Sequence, residues 1–112
     1  MKKLSALMAA VALVAGASVV FAGDFSGSGE IVELSCYTSR NASGAGHAGC
    51  AKKCLSDGKE MGLLQEDGTV VKLQKGDDEA PYNALIELAG MAANVKGTMS
   101  DGIVTVTGAE AG

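Results

Sequence analysis

The chain has 112 residues, of which 9 are Lys or Arg, 13 are Asp or Glu and one is His, so its net charge at neutral pH is −4. Only 4% of the residues are aromatic, and neither a basic stripe nor a set of stacking side chains is present, which excludes nucleic acid as a partner. The acidic balance favours a metal ion or a cationic partner.

The start of the chain has the composition of a secretory signal peptide. Two lysines precede a long apolar run without charge, and the run ends with small side chains at Val20 and Ala22. This order of segments predicts export and cleavage after Ala22, and an uncleaved membrane anchor is the alternative. We expect a periplasmic or secreted protein with no membrane anchor after cleavage. Removing residues 1–22 leaves 7 basic and 13 acidic side chains, a net charge of −6.

The segment that follows cleavage divides into a lead-in and one domain. Residues 23–29 are rich in Gly and Ser and predict a flexible lead-in. A single domain is expected over residues 30–112, of a size that often needs a disulfide or a metal ion for stability. Its first element, Glu30 to Tyr37, predicts a strand ending at Cys36. A polar, Gly-rich loop is expected over Thr38 to Gly46.

Two helices are predicted in the domain. The first runs from His47 to Leu55 and ends before Asp57-Gly58, a typical helix stop. The second begins near Pro81 after an acidic cap, and its apolar residues recur at helical spacing as far as Gly90. The helix after the first strand is expected to be an insertion.

Two hairpins supply the other strands. Each consists of two apolar segments around a turn that ends in Gly, which accepts the positive φ of a tight turn. The four segments are Met61 to Gln65, Thr69 to Gln74, Ala93 to Met99 and Ile103 to Thr107. A helix lies between the third and fourth strands, as in an OB-like barrel. The predicted fold is mainly β with two short helices, a small five-stranded OB-like barrel, and a two-layer α+β sheet is the alternative.

Cys36, His47, Cys50 and Cys54 are the most informative set of side chains. Positions 47, 50 and 54 of one helix fall within an arc of about 60°, because each residue advances by about 100°. The imidazole and two thiols then point the same way, and Cys36 can supply a fourth ligand. A Cys3His set suits one Zn ion, and thiolates also suit Cu(I). We predict that these four residues bind one Zn or Cu ion.

The same cysteines allow two other interpretations. In an oxidising compartment, Cys36 can pair with Cys50 or Cys54 and staple a non-catalytic binding module. Alternatively, Cys50 and Cys54 take part in thiol–disulfide redox chemistry, with His47 as a neighbouring base. Under the metal hypothesis, four protein ligands favour a structural, storage or delivery role over catalysis. A delivery role would require a periplasmic protein partner.

Several stretches over nearly the whole mature chain carry a resemblance to a known group of proteins. They are Gly29 to Tyr37, Gly46 to Cys54, Gly62 to Leu64, Asp67-Gly68, Leu88 to Gly90 and Val95 to Thr98. These stretches resemble small exported bacterial proteins with OB-like barrels and the motif Cys…Gly-x-x-His-x-x-Cys-x-x-x-Cys. The resemblance implies that the Cys, His, Cys and Cys of the motif act as one metal-binding unit, and it implies no reaction. The chain departs from the group at Met91 to Ala93, where a basic, β-branched run is expected.

Overall fold

Strands and short helices follow one another along the part of the chain that is described. A computed structural model describes residues 23–112, and the predicted signal peptide lies outside these residues. The strands are β1 (Gly23–Glu33), β2 (Met61–Gln65), β3 (Val70–Lys75), β4 (Ala92–Ser100) and β5 (Ile103–Ala111). The helices are α1 (Leu34–Arg40), α2 (Ala48–Ser56) and α3 (Ala80–Ile86), and a 3-10 turn (Ala45–His47) precedes α2.

The five strands close into a barrel in the order β1-β2-β3-β5-β4, with β4 pairing back to β1. β3 and β5 run parallel, and each other neighbouring pair is antiparallel. α3 connects β3 to β4, which is the position of the helix in an OB-like barrel. The predicted OB-like barrel is therefore confirmed, and the two-layer α+β alternative is wrong.

Side chains that alternate along the strands fill the barrel. Ala93 and Val95 of β4 point inward between exposed neighbours, and Val104 and Val106 of β5 are buried in the same alternating way. Leu85 of α3 is fully buried in the same cluster. Burying one such aliphatic side chain contributes about 1.5–3 kcal/mol. The barrel is thus the stable frame to which the connections are attached.

Residues 23–29 belong to the barrel, so the prediction of a flexible lead-in is wrong. They form the first part of β1 and pair with β4 along their whole length. Main-chain hydrogen bonds hold this segment, and Phe25 packs against the core although most of the other side chains are small. At Gly29 the strand pairs with both β2 and β4. A Cβ at Gly29 would lie 2.2 Å from the carbonyl oxygen of Leu64, so glycine is required where the backbones come this close.

Residues 23–112 contain three α-helices, whereas the sequence predicts two. α2 and α3 confirm the predicted helices, with small differences at their ends. α1 is unexpected: the strand predicted over Glu30 to Tyr37 stops at Glu33, and the chain turns directly into a helix. Cys36 therefore lies on a helix, and its predicted place at the end of a strand is wrong.

Within residues 23–112, no helix is long and apolar enough to cross a bilayer.

Both predicted hairpins are confirmed, and their turns contain the expected positive φ angles. The β4–β5 turn has Asp101 at 54° and Gly102 at 79°, a pattern that matches the twist of antiparallel strands. In the β2–β3 turn, Gly68 has a φ of 90°. The Asp67 carboxylate there accepts hydrogen bonds from the hydroxyl and the backbone N–H of Thr69, which lower the pKa of Asp67.

The segment after α3 fixes α2 to the barrel. Gly90 donates its N–H to the carbonyl oxygen of Ile31 (2.8 Å), and the carbonyl oxygen of Met91 accepts from the Ile31 N–H (3.1 Å). Gly90 has a φ of 79°. A Cβ at this position would lie 2.8 Å from both Cα and Cβ of Ala48. The first residue of α2 therefore rests directly on the Gly90 backbone, which sets the position of the helix relative to β1.

Replacing Gly90 by Ala should destabilise the protein. The positive φ costs about 1–2 kcal/mol for a residue with a Cβ, and overpacking against Ala48 costs a further ~1–3 kcal/mol. We expect the free energy of unfolding in urea to fall by about 2–5 kcal/mol. Gly58→Ala is the matched control, because Gly58 has a φ of 99° but no neighbouring atom within 4 Å. An equal loss in both variants would contradict the close packing of Gly90 on Ala48.

Candidate metal centre

The connection between β1 and β2 carries all four predicted metal ligands. Cys36 lies in the first turn of α1, His47 ends the 3-10 turn, and Cys50 and Cys54 lie on α2. His47 was expected on the helix, but it precedes α2 as the residue before its first turn. In OB-like barrels, this connection is one of the loops that bind ligands. The connection between β1 and β2, with its inserted helices, therefore lies where an OB-like fold accommodates a binding site.

Glu33 sets the direction of α1. Its carboxylate accepts hydrogen bonds from the backbone N–H groups of Ser35 (2.8 Å) and Cys36 (3.2 Å) and from the Ser35 hydroxyl (2.7 Å). The two N–H groups are donors that a helix leaves unpaired in its first turn. Burial raises the pKa of Glu33, but the hydrogen bonds from Cys36 and Ser35 outweigh it and bring the pKa below its ordinary value of 4.5. Glu33 is therefore ionised at neutral pH and holds Cys36 beside it.

The loop between α1 and α2 is anchored to the barrel. Asn41 ends α1 in the left-handed conformation, with a φ of 54°. Ala42 is buried next, and the Gly44 N–H then donates to the Glu30 carboxylate of β1. His47 is consequently presented by a loop with fixed attachment points.

α2 packs Ala51 and Leu55 against the barrel core. Cys50 and Cys54 each precede one of these buried residues, so both thiols lie along the edge of the buried face. Cys50 is exposed and Cys54 is partly buried. The packing of the helix thus places both thiols at the border of the core.

A small cavity lies between α1 and α2. Its volume is about 10 Å³, close to the least that admits one water molecule. The residues that line it are Glu33, Cys36, Ala42, His47, Cys50 and Ala51. Three of the four predicted ligands therefore border one ion-sized space, and the fourth, Cys54, follows Cys50 by one helical turn.

The four predicted ligands are neighbours, but they do not surround a common point as they stand. Within residues 23–112, no three His, Cys, Asp or Glu side chains are grouped closely enough to hold one ion. Cys36, Cys50 and Cys54 are free thiols. Because His47 and Cys50 are exposed, their side chains have room to change rotamer. Binding a shared ion therefore requires such a rotation toward the cavity.

Burial and electrostatics oppose ionisation of the Cys54 thiol when no cation is present. Burial raises the pKa of Cys54, and the charge of Cys50, a hydrogen bond with Cys50 and the charges of Cys36 and Glu33 raise it further. Each negative charge in the group makes the next one less favourable. A guanidinium offsets part of this, since Nη2 of Arg40 lies 3.5 Å from Sγ of Cys36. A metal cation would reverse the balance, because it favours the thiolate form of its ligands.

Glu33 is the residue of this site that the sequence analysis misses. It follows Ile31 and Val32, so it is counted as part of the predicted strand. Glutamate is also outside the usual group of N-cap residues, which are Ser, Thr, Asp and Asn. The one available signal is a negative charge at a possible helix start, which the positive end of a helix favours. That signal is weak beside the stronger pattern of the preceding apolar residues.

Removing the Glu33 side chain should destabilise the protein in a pH-dependent manner. Loss of a helix cap costs about 0.5–2 kcal/mol, so Glu33→Ala should lower the free energy of unfolding by about that amount at neutral pH. Because the folded pKa of Glu33 lies below 4.5, its contribution is present above that pH and is lost as pH falls through the folded pKa.

The measurement is urea unfolding of wild type and variant between neutral and acidic pH. The stability gap between them should close as the solution is acidified. Glu66→Ala is the control, since Glu66 is exposed in the β2–β3 turn, and it should leave stability nearly unchanged. A gap that is independent of pH would contradict the role of the ionised carboxylate.

Comparison with known proteins does not assign the chain to a family. No family model, curated protein or solved structure matches it. The resemblance to small exported bacterial proteins therefore stays a prediction. The function has to be argued from the geometry of Cys36, His47, Cys50, Cys54 and Glu33.

Proposed function

We propose that the protein is a periplasmic metal-binding protein that holds one Zn or Cu ion through Cys36, His47, Cys50 and Cys54. The observation that carries the proposal is the shared cavity, which Cys36, His47 and Cys50 line from α1, the 3-10 turn and α2. Residues from three separate elements meet there, at a place set by the packing of both helices on β1. Cys54 completes the set from the next turn of α2.

The chemistry of these side chains fits the ion. Three thiols and one imidazole are the ligands of tetrahedral Cys3His zinc sites, and thiolates are also the preferred ligands of Cu(I). Burial raises the pKa of Cys54, and the neighbouring negative charges of Cys50, Cys36 and Glu33 raise it further, which is the electrostatic setting in which a cation is favoured. A bound ion would supply Lewis acidity and positive charge, while the four side chains supply the ligands and exclude water from its coordination sphere.

A site with four protein ligands suits a structural, storage or delivery role. Such a site leaves no open position at which a substrate or an activated water could bind the ion. The exposure of His47 and Cys50 places half of the set at the surface, where a periplasmic protein partner could exchange ligands for the ion. Export, as predicted from the start of the chain, would put three thiols into an oxidising compartment. Metal binding would protect them there.

Native mass spectrometry of protein purified from the periplasm tests the proposal. We expect one Zn or Cu ion per chain and a mass that corresponds to cleavage after Ala22. After denaturation and removal of the metal, three thiols should react with an alkylating reagent. Metal-free protein with one disulfide and a single reactive thiol would contradict the proposal and favour the stapled binding module.

Substituting one ligand should weaken binding strongly. Structural zinc sites bind with about 10–16 kcal/mol, so one of four ligands is worth about 3 kcal/mol, roughly 100-fold in Kd. We expect His47→Ala to raise the Kd for Zn²⁺ by about this factor in competition with a chromophoric chelator. Lys53→Ala is the control on α2, because Lys53 is exposed and pairs only loosely with Asp57 (3.7 Å). An equal effect of both substitutions would contradict ligation by His47.

Thiol–disulfide exchange by Cys50 and Cys54 is the second candidate function. The hydrogen bond between them that contributes to the raised pKa of Cys54 indicates that their thiols are close. The same raised pKa argues against Cys54 as the attacking thiolate. Incubating metal-free protein with oxidised glutathione separates the two functions. Rapid loss of two thiols in the wild type, abolished by Cys50→Ser, would favour redox chemistry. Thiols that persist in the metal-free protein, and that are protected further once zinc is added, would favour metal binding.

A further inference from the structure

We infer that Glu33 makes the proposed site selective for a divalent ion, Zn²⁺, over monovalent Cu⁺. This inference rests on the proposed metal-binding function and narrows it to one class of ion. Glu33 would act on the ion through its fixed charge, as a positioning and selectivity residue, while the four other side chains act as ligands.

The surroundings of Glu33 show why it is not itself a ligand. One carboxylate oxygen accepts from the Ser35 N–H at 2.8 Å and the other from the Cys36 N–H at 3.2 Å, and the Ser35 hydroxyl lies within hydrogen-bond distance of both. These bonds use the carboxylate to hold the start of α1. The group nevertheless borders the cavity that Cys36, His47 and Cys50 line.

The charge of Glu33 is buried and not neutralised. The residue is only 3% exposed. Among the ion pairs of residues 23–112, none includes Glu33. Hydrogen bonds satisfy its oxygens, and the first N–H groups of α1 bring partial positive charge but no full unit charge. Buried charges in proteins are as a rule paired with an opposite charge or placed at a metal ion. A cation in the neighbouring cavity, which metal-binding side chains line, would supply the unit positive charge that this carboxylate lacks.

Counting charges distinguishes the two candidate ions. Three thiolates and a neutral imidazole around Zn²⁺ leave one excess negative charge, and around Cu⁺ they leave two. Glu33 adds a further negative charge to either complex. Arg40, whose guanidinium lies 3.5 Å from Sγ of Cys36, offsets one. The zinc complex then retains one uncompensated charge and the copper complex two, and uncompensated charge at a partly buried site is unfavourable.

The size of the effect follows from the difference of one unit charge between the ions. One unit charge changes the affinity for a neighbouring unit charge by roughly 10- to 100-fold, at the separations typical of neighbouring residues and the effective dielectric constant of a protein surface. Removing the charge of Glu33 should therefore lower the affinity for Zn²⁺ more than that for Cu⁺, by about that factor.

Glu33→Gln is the test variant, because the amide oxygen still accepts a hydrogen bond while the charge is lost. Kd values for Zn²⁺ and for Cu⁺ are measured anaerobically at neutral pH, each in competition with a chromophoric chelator. We expect the ratio of Kd for Cu⁺ to Kd for Zn²⁺ to fall roughly 10- to 100-fold in the variant. Ser35→Ala, which removes a hydrogen bond to Glu33 but no charge, should leave the ratio unchanged. Glu66→Gln, which removes an exposed carboxylate, should do so as well.

Arg40→Gln is a second variant that keeps the test independent of Glu33 folding effects. Arg40 is exposed at the end of α1, and losing its positive charge should shift the same ratio in the opposite direction, toward Zn²⁺. Unchanged ratios in both variants, with both ions still bound, would overturn the selectivity role and leave the proposed function standing. Failure of the wild type to bind either ion would instead overturn the proposed function.

Discussion

The buried carboxylate of Glu33 is the interaction on which the site depends. At this residue β1 ends, and the side chain turns back to accept the Ser35 and Cys36 N–H groups that start α1. An apolar side chain here would leave those donors without partners at the border of the core. One carboxylate thus caps the first turn of α1 and holds Cys36 at the cavity.

The barrel supplies the second constraint, since it holds both halves of the site from outside. α2 is fixed on its inner face by Ala51 and Leu55 and at its first residue by the backbone of Gly90. Gly90 in turn is hydrogen-bonded to Ile31 of β1. Because the same strand carries Glu33 two residues later, α1 and α2 are both positioned by the same short segment of the β1 backbone. Their relative position is therefore set by short-range contacts, although 27 residues, from Leu34 to Glu60, separate β1 from β2.

The elements that sequence analysis predicts correctly are those set by local patterns. The two hairpins follow from alternating apolar residues around Gly68 and Gly102, and α2 and α3 from helical spacing and their stop signals. The start of β1 is missed because Gly and Ser side chains carry no period, while its pairing with β4 is a long-range property. α1 is missed because its cap is a glutamate within an apolar run. The ligand set is proposed on spacing along one helix, yet His47 reaches the cavity from a 3-10 turn.

The ionised carboxylate of Glu33 caps α1, and it also adds negative charge to a site that holds three thiols. Glu33 is ionised when it caps α1, and its charge adds to burial and to the charges of Cys50 and Cys36, which raise the pKa of Cys54 more. A neutral cap would remove this repulsion, but it would also weaken the hydrogen bonds that direct Cys36. Charged acceptors form stronger hydrogen bonds than neutral ones. Both the start of α1 and the binding of a cation therefore favour an ionised carboxylate at Glu33. A bound cation would relieve the repulsion without disturbing the cap, and by mass action it would stabilise the folded chain by an amount that rises with the logarithm of its concentration relative to Kd.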